Sequence, residues 1–247
     1  MKKAAAFLVL FTPLLQGCQS SAPTHAITMQ TNLQDRTPGQ KHNAKLAARA
    51  LNGTKVPAKS EFSFIKTVGG WTRDRGYVKA PVSFSGQLIP SYGGGVCQTS
   101  TTLYIAALKA GMEIRERHPH AFAPTYVAPG LDAAVAYQSA DFRFYNPYPF
   151  PVEIQASADG RSLRVSLVAE RAFQERSLEN IILNAQRPAV RRTGPADGWA
   201  RVRNGGKAGY EVQVWRSSKG QRELISHDTY PPMDRIIERS ATARNEP

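Results

Sequence analysis

Residues 93–104 read Gly93-Gly94-Gly95-Val96-Cys97-Gln98-Thr99-Ser100-Thr101-Thr102-Leu103-Tyr104. Glycine adopts left-handed backbone conformations and lets other groups approach closely, so three in succession indicate a close-packed turn. The apolar residues behind the turn have the spacing of one buried helix face: Leu103, Ala106, Ala107 and Ala110. Gly111 stands where a left-handed C-cap belongs. The pattern predicts a buried helix that begins near Cys97.

The position of Cys97 at the start of this helix has chemical consequences. The free backbone N–H groups and the helix dipole favour a thiolate over a thiol, and the same N–H groups can hold an oxyanion that develops during acyl transfer. The residues that we assign to oxyanion or substrate contacts surround the thiol: Gly94, Gly95, Gln98, Thr99, Ser100 and Thr101. The alternative is that Cys97 is simply a small core side chain.

A cysteine nucleophile needs a base, usually a histidine, and often a carboxylate that orients the imidazole. His118 and His120 follow the helix closely in sequence. A strand over residues 113–117 that returns along the helix would bring either of them to its N-terminus. Asp132 and Asp141 are the carboxylates nearest in sequence for orienting that histidine, although each also fits a turn or a strand start.

A zinc site is the competing interpretation of the same side chains. Cys97, His118 and His120 could be three ligands, because His-x-His on a strand points both imidazoles in one direction. No CxxC, HExxH or acidic cluster accompanies them, and the glycine run lacks the Gly-Lys-Ser/Thr of a phosphate-binding loop. We therefore expect no metal and no cofactor.

The N-terminus predicts export. Lys2 and Lys3 precede a short apolar run, which is typical of a signal peptide over residues 1–17. Its end, Leu15-Gln16-Gly17-Cys18, resembles the lipobox of bacterial lipoproteins, so Cys18 is expected to be acylated and to anchor the chain in the cell envelope. In a diderm host the anchor would lie in the outer membrane, facing the periplasm. An ordinary secretory signal is the alternative. Residues 18–39, rich in Ser, Thr, Gln and Pro, predict a flexible tether.

Charge and cysteine count restrict the partners. The chain of 247 residues contains two cysteines and has a formal net charge of +13. With Cys18 lipidated, Cys97 has no intramolecular partner, and a free thiol in an oxidising compartment must be buried or used. Export disfavours nucleic acid as a partner, so the basic charge suits anionic envelope polymers or lipid head groups.

The remaining periodicity predicts an α+β fold with a mixed or antiparallel sheet and a few helices. A first helix is predicted over residues 40–51, and alternating stretches predict strands over 61–64, 78–84, 113–117, 133–137, 141–145, 152–156 and 163–167. Asp159-Gly160 predicts the hairpin between the last two strands. Residues 171–247 predict a linker, centred on 186–197, and a small β unit in which Tyr230 packs.

Several of these motifs together resemble the VanW domain of bacterial cell-envelope proteins, over residues 40–170. The resemblance is carried by Phe62-Ser63-Phe64, Arg75-Gly76-Tyr77, residues 93–104, Glu116-Arg117-His118-Pro119-His120, Tyr126-Val127, Gly130-Leu131-Asp132-Ala133 and Asp141. The tail from Gly209 resembles the short β segment that often follows such a domain. Many relatives carry Arg before the motif Asp, whereas this chain has Leu131, so no Arg–carboxylate contact is expected from that position.

The resemblance implies peptidoglycan chemistry. Members have been linked to glycopeptide (vancomycin) resistance and to L,D-transpeptidation with the motif cysteine as nucleophile. Carried over, Cys97 is the nucleophile of a cysteine acyltransferase, His120 is its base and His118 is a variable neighbour. The expected partners are peptidoglycan stem peptides and, through the lipid anchor, a membrane. The alternatives are an L,D-carboxypeptidase, in which water resolves the thioester, and a non-catalytic peptidoglycan-binding lipoprotein.

Overall fold

The computed structural model describes residues 24–84, 87–194 and 199–240. The predicted signal and Cys18 lie outside these residues. The helices within them are α1 (Pro38–Leu51), α2 (Phe64–Val68) and α3 (Val96–Lys109). The strands are β1 (His25–Asn32), β2 (Thr54–Val56), β3 (Glu61–Ser63), β4 (Lys79–Phe84), β5 (Gln87–Tyr92), β6 (Glu113–Glu116), β7 (Arg143–Tyr145), β8 (Val152–Ala158), β9 (Ser162–Ala169), β10 (Ser177–Gln186), β11 (Val190–Thr193), β12 (Trp199–Lys207), β13 (Gly209–Ser218), β14 (Gln221–Tyr230) and β15 (Met233–Ser240). None of the described helices is both long and apolar enough to cross a bilayer.

The main core lies between the helices and an antiparallel sheet of order β1-β9-β8-β2. Helix α1 contacts β8 and β9, α3 contacts β1 and β9, and the two helices contact each other. A second antiparallel sheet, β3-β7-β6, contributes Phe62 and Phe144, whose rings stack at 4.8 Å. The hairpin between β8 and β9 turns at Asp159-Gly160, as the sequence predicts. The predicted α+β class is confirmed, since antiparallel sheets dominate and helices are few.

The C-terminal region forms two more sheets, β10-β13-β14 and β11-β15-β12. The predicted linker over 186–197 is therefore wrong in part, because β10 ends at Gln186 and β11 lies at Val190–Thr193. These strands are mostly exposed and polar, so they lack the alternation that marks a half-buried strand. Their pairing partners, β13 and β15, come later in the chain.

The predicted tether is also wrong over its described part. Residues 25–32 form β1, which pairs antiparallel with β9, and α1 begins at Pro38. In β1 the side chains of Ile27, Met29 and Thr31 alternate inwards, and Thr31 is 5% exposed. A short alternation among polar residues is a weak sequence signal, and a tertiary partner is what makes it a strand.

Most of the predicted strands are present with bounds shifted by one or two residues, and the one over 133–137 is absent. The strand over 61–64 ends at Ser63, whose hydroxyl accepts a hydrogen bond from Lys66 N (3.1 Å) and so caps α2. Residues 133–137 form no ladder, only isolated bridges such as His118 with Ala134. Their backbone is engaged instead by α3, where Ser100 Oγ donates to Ala133 O at 2.6 Å.

The three glycines between β5 and α3 form a tightly enclosed turn. A Cβ on Gly93 would lie 2.1 Å from the ring of Trp71, and a Cβ on Gly95 would lie 2.2 Å from the carbonyl oxygen of Gln40. Gly95 also has φ +108°, a left-handed conformation that other residues rarely adopt. The predicted close-packed turn is confirmed, and the enclosure determines where α3 starts.

Replacing Gly95 by alanine is expected to lower the free energy of unfolding by about 3 kcal/mol, because the new Cβ meets both backbone strain and the carbonyl of Gln40. The matched control is Gly160→Ala, since a Cβ on Gly160 would meet no atom within 4 Å. The control should change stability by less than about 1 kcal/mol. Urea denaturation measures both, and equal stability of the two variants would contradict the enclosed turn.

Candidate functional site

The thiol lies in the first turn of α3, beside the segment that precedes β7. Cys97 is the second residue of the helix and is partly exposed. Val135 N–H donates to Cys97 Sγ at 3.5 Å, and in the thiol form Sγ donates to Val135 O at 3.4 Å. Two backbone contacts thus hold the sulfur at a defined place, with one side left open.

His120 stands between the thiol and a buried carboxylate. Its Nδ1 lies 2.6 Å from Asp132 Oδ2, and its backbone N–H donates to the same oxygen at 2.8 Å. The imidazole and the Cys97 thiol line the same cleft, and each shifts the pKa of the other. Because Nδ1 is engaged by Asp132, Nε2 is the nitrogen left to act on the thiol. Cys97, His120 and Asp132 therefore form one interacting series, in which a hydrogen bond joins His120 to Asp132.

The carboxylate of Asp132 is in turn held by side chains that come from far along the chain. Its Oδ1 accepts from Tyr230 Oη at 2.5 Å and from Arg117 at 3.1 Å. Arg117 also donates to both carboxylate oxygens of Asp228, each at 2.6 Å. Asp228 and Tyr230 both lie on β14, so the C-terminal region supplies part of the support for the series.

Charges within the series favour an ion pair between thiolate and imidazolium. Burial raises the pKa of the Cys97 thiol, but the hydrogen bond and positive charge of His120 outweigh it and lower that pKa overall. Burial lowers the pKa of His120, yet Asp132 and Cys97 raise it to about 9. Burial likewise raises the pKa of Asp132, and the hydrogen bond and charge of His120, with Arg117, lower it overall. The directions of these shifts favour the nucleophilic thiolate form of Cys97.

The thiol opens into a cleft of about 380 Å³. Its lining includes Gly94, Gly95, Cys97, Gln98 and His120, so these predicted site residues come together. The backbone N–H groups of the residues on either side of Cys97 donate to carbonyl oxygens of the glycine turn. The N–H of Cys97 itself has no partner in the described part of the chain. That N–H is the donor available to an oxyanion at the sulfur. A larger cavity of about 700 Å³ lies beside β6 and β14 and does not include the thiol.

The hydroxyls of the first helical turn do not reach the cleft. Thr99, Ser100 and Thr101 are each 0% exposed. Ser100 Oγ donates to Ala133 O at 2.6 Å, and Ala133 N donates to Thr101 Oγ1 at 3.0 Å. Their assignment to substrate contacts is wrong, because Ser100 and Thr101 hold the 132–135 segment, which covers their face of α3, and Thr99 Oγ1 donates to Ala44 O of α1 at 3.4 Å.

Gln98 lines the cleft, but its amide is committed to the protein. Its Nε2 donates to Asn32 O at 2.8 Å and to Thr31 Oγ1 at 3.1 Å. Its Oε1 accepts from Arg36 Nε at 2.9 Å. Gln98 therefore positions Arg36.

Two other predicted candidates lie away from the thiol. His118 is 44% exposed and pairs with Glu116 at 3.0 Å. Asp141 accepts from Ser63 Oγ (2.5 Å) and Ile65 N (2.9 Å), so it holds the start of α2. Neither orients His120. Within the described ranges no group of three or more His, Cys, Asp and Glu side chains is arranged to hold a metal ion.

The structure adds residues that sequence reasoning missed. Arg117 lies within the motif Glu116-Arg117-His118-Pro119-His120, and this motif is the sequence signal that could have identified it as a site residue. It supplies the Arg–carboxylate contact that Leu131 cannot make. Tyr230 was predicted only to pack, and no local pattern marks Asp228, which lies 111 residues from its partner.

The ion pair makes a pH-dependent prediction for the reactivity of Cys97. In a Cys18→Ser chain, where Cys97 is the one remaining thiol, iodoacetamide should react with a midpoint pH below the ~8.5 of a free thiol. His120→Gln should raise that midpoint by about one pH unit or more, because burial and the charge of Asp132 then disfavour the thiolate and only the backbone contact with Val135 remains to favour it. His118→Gln is the matched control and should leave the midpoint unchanged. Equal midpoints for the two variants would show that His120 does not favour the thiolate form of Cys97.

The fold and the site define an α+β protein in which a cysteine, a histidine and an aspartate are joined at a cleft. The family described as VanW like protein matches residues 39–168. The chain therefore belongs to the VanW-like family.

Similar proteins include YoaR of Bacillus subtilis, described as uncharacterized, which is 37% identical over 146 residues, 59% of this chain and 48% of its own. The vancomycin B-type resistance protein VanW of Enterococcus faecalis is 27% identical over 166 residues, 65% of this chain and 59% of its own. The chain thus spans about half the length of these relatives. Among solved structures, a G5 domain of IgA1 protease matches 27% of this chain and 87% of its own at 27% identity, with a TM-score of 0.21.

Proposed function

We propose that this protein is a peptidoglycan-modifying cysteine acyltransferase, and specifically an L,D-transpeptidase. The observation that carries the proposal is the series Cys97–His120–Asp132 at an open cleft, with the pKa of the thiol lowered and that of the imidazole raised to about 9. A structural cysteine needs neither a charged partner nor access to solvent. A nucleophile needs both.

In the first half-reaction the thiolate of Cys97 attacks the carbonyl carbon between the third-position diamino acid and D-Ala of a donor stem peptide. The N–H of Cys97 donates to the oxyanion that forms. His120 gives its Nε2 proton to the leaving amine, D-Ala departs and a thioester remains on the sulfur. Asp132 keeps the imidazole oriented through Nδ1 and stabilises its positive charge.

In the second half-reaction an acceptor amine attacks the thioester carbonyl. Neutral His120 takes the proton from that amine, the C–S bond breaks and the thiolate is restored. The product is a new amide that cross-links two stem peptides. If water takes the place of the amine, the same steps give an L,D-carboxypeptidase.

A cell-envelope role is supported by the family and by the relative named as a vancomycin B-type resistance protein. Export and lipid anchoring at Cys18 are the further part of the proposal, and they rest on the lipobox in the sequence. The strongly basic chain, at +13, suits an anionic envelope polymer.

The test is incubation of the purified chain with a disaccharide tetrapeptide, followed by intact mass of the protein and chromatography of the muropeptides. The expected result is an acyl adduct on Cys97 and a cross-linked dimer, with free D-Ala released. Protein whose thiol has been blocked with iodoacetamide is the control and should give neither. If the folded, unblocked protein forms no adduct with tetrapeptide or pentapeptide, the transpeptidase function is ruled out and a peptidoglycan-binding lipoprotein is favoured.

A further inference from the structure

Two cations lie at the wall of the thiol cleft, and neither takes part in the steps above. Arg36 comes from the connection between β1 and α1, and Lys207 is the last residue of β12. Arg36 donates through Nε to Gln98 and stacks over the Tyr126 ring at 4.7 Å from its centroid. It forms no ion pair within the described ranges, and there the ammonium of Lys207 has neither a hydrogen bond nor an ion pair.

Holding two such charges together is costly in the free protein. Burial lowers the pKa of Arg36 and outweighs the opposing effects of Tyr126, Asp35 and Cys97. Burial together with the charge of Arg36 lowers the pKa of Lys207. Because the net shift of both cations is downward, this end of the cleft is incompletely compensated, and an anion placed there would relieve both desolvation and repulsion.

The guanidinium of Arg36 is held in place by Gln98. Gln98 fixes the guanidinium through Oε1, while the amide nitrogen of Gln98 is tied to the backbone oxygen of Asn32. With Nε used, the two terminal nitrogens have no hydrogen-bond partner among the residues that the structure describes, and they suit a planar, two-pronged acceptor, which is the geometry of a carboxylate. Because Gln98 directly follows Cys97, this acceptor would lie close to the reacting carbonyl.

We propose that Arg36 and Lys207 form a carboxylate-binding subsite next to Cys97, and that its occupant is a carboxylate of the acyl-donor peptide. The identity of the occupant rests on the proposed function, whereas the subsite itself does not. Two carboxylates of the donor fit the requirement. The terminal carboxylate of D-Ala lies one residue, about 3.8 Å between Cα atoms, beyond the scissile carbonyl, and the side-chain carboxylate of a diaminopimelate lies on the acylating residue.

The subsite is tested by comparing two alkylating reagents on the full chain in a Cys18→Ser background. Iodoacetate carries a carboxylate and iodoacetamide does not, so the ratio of their rates cancels any change in the thiolate itself. Arg36→Gln and Lys207→Gln should each lower the iodoacetate-to-iodoacetamide ratio about tenfold, the effect of a hydrogen bond to a charged group. Lys45→Gln, which removes an exposed charge on α1, is the matched control and should leave the ratio within about twofold.

An unchanged ratio in both cleft variants overturns the subsite. Equal slowing of both reagents would mean that the cations act only on the thiolate, and it also overturns the subsite. Neither result bears on whether the protein acylates peptides, so the two failures are distinguishable.

The occupant is tested by acylation of the Cys18→Ser chain with three tetrapeptides: a diaminopimelate peptide, its C-terminal amide, and the same peptide with lysine at the third position. If the terminal carboxylate binds, the amide should acylate about tenfold more slowly and Lys207→Gln should no longer affect it. If the side-chain carboxylate binds, the lysine peptide shows that pattern instead. Equal sensitivity of all three peptides to Arg36→Gln and Lys207→Gln overturns the assignment to the donor.

Discussion

Replacing Cys97 by alanine is expected to lower the rate of acylation by the donor peptide by about 10⁴-fold or more, because Cys97 is the only thiol among the described residues that line the cleft. The hydroxyls of Thr99, Ser100 and Thr101 cannot substitute, since they are fully buried. The measurement is single-turnover release of D-Ala, read beside intact mass. The fold should persist, since the change removes one sulfur from a partly exposed position.

The same variant reports on the electrostatics of the site. The interaction with Cys97 helps to raise the pKa of His120 to about 9, so in Cys97→Ala the pKa of His120 should fall, as read by NMR titration. Product formation that survives in Cys97→Ala would place the nucleophile elsewhere and remove the proposed mechanism. A His120 pKa that does not move would show that the sulfur and the imidazole are not paired.

Replacing Asp132 by asparagine is expected to lower the acylation rate by about 10³- to 10⁴-fold. Every partner of the carboxylate is a donor: Tyr230 and Arg117 at Oδ1, the backbone and imidazole of His120 at Oδ2. An asparagine amide has one oxygen acceptor and one NH₂ group. Whichever way it is turned, the NH₂ group faces hydrogen-bond donors that it cannot accept from. The imidazole then loses both its orientation and the charge that raises its pKa.

The matched control for Asp132→Asn is Asp141→Asn, because the sequence left both carboxylates open as the group that orients the histidine. Asp141 holds the start of α2, so its variant should lose stability and keep its rate per folded molecule. Asp132→Asn should also lower the free energy of unfolding by about 2 kcal/mol, because buried donors are left unsatisfied. If both variants kept the wild-type rate, the role of Asp132 in orienting His120 would be lost.

The contacts of Arg117 give the C-terminal region a role at the site. Asp228 and Tyr230 on β14 hold the side of Asp132 that faces away from His120. The loop before Asp132 also packs on β13, where a Cβ on Gly130 would lie 2.6 Å from Val214. The sheet β10-β13-β14 therefore positions the carboxylate rather than only following the domain in sequence.

Local patterns in the sequence were enough to predict the elements whose stabilising contacts are near in the chain. Helix α3, its start beside Cys97 and the hairpin at Asp159-Gly160 follow from helix spacing, glycine and turn chemistry. The resemblance to the VanW domain favoured His120 over His118, but Asp132 and Asp141 both stayed open as its partner. Helix α3 and the hairpin depend on residues within a turn or two, and local propensity specifies them.

Tertiary structure alone decided which candidates meet. In the folded protein Ser100 and Thr101 are buried, and Asp141 binds the start of α2. Arg117 pairs with Asp228, which lies 111 residues away in the chain. The strand β1 and the polar strands near the C-terminus also needed partners remote in the chain. The physical reason is that burial and pairing are properties of the folded arrangement: a hydroxyl, a carboxylate or a cation has the same local sequence whether it faces the core, a cap or the cleft.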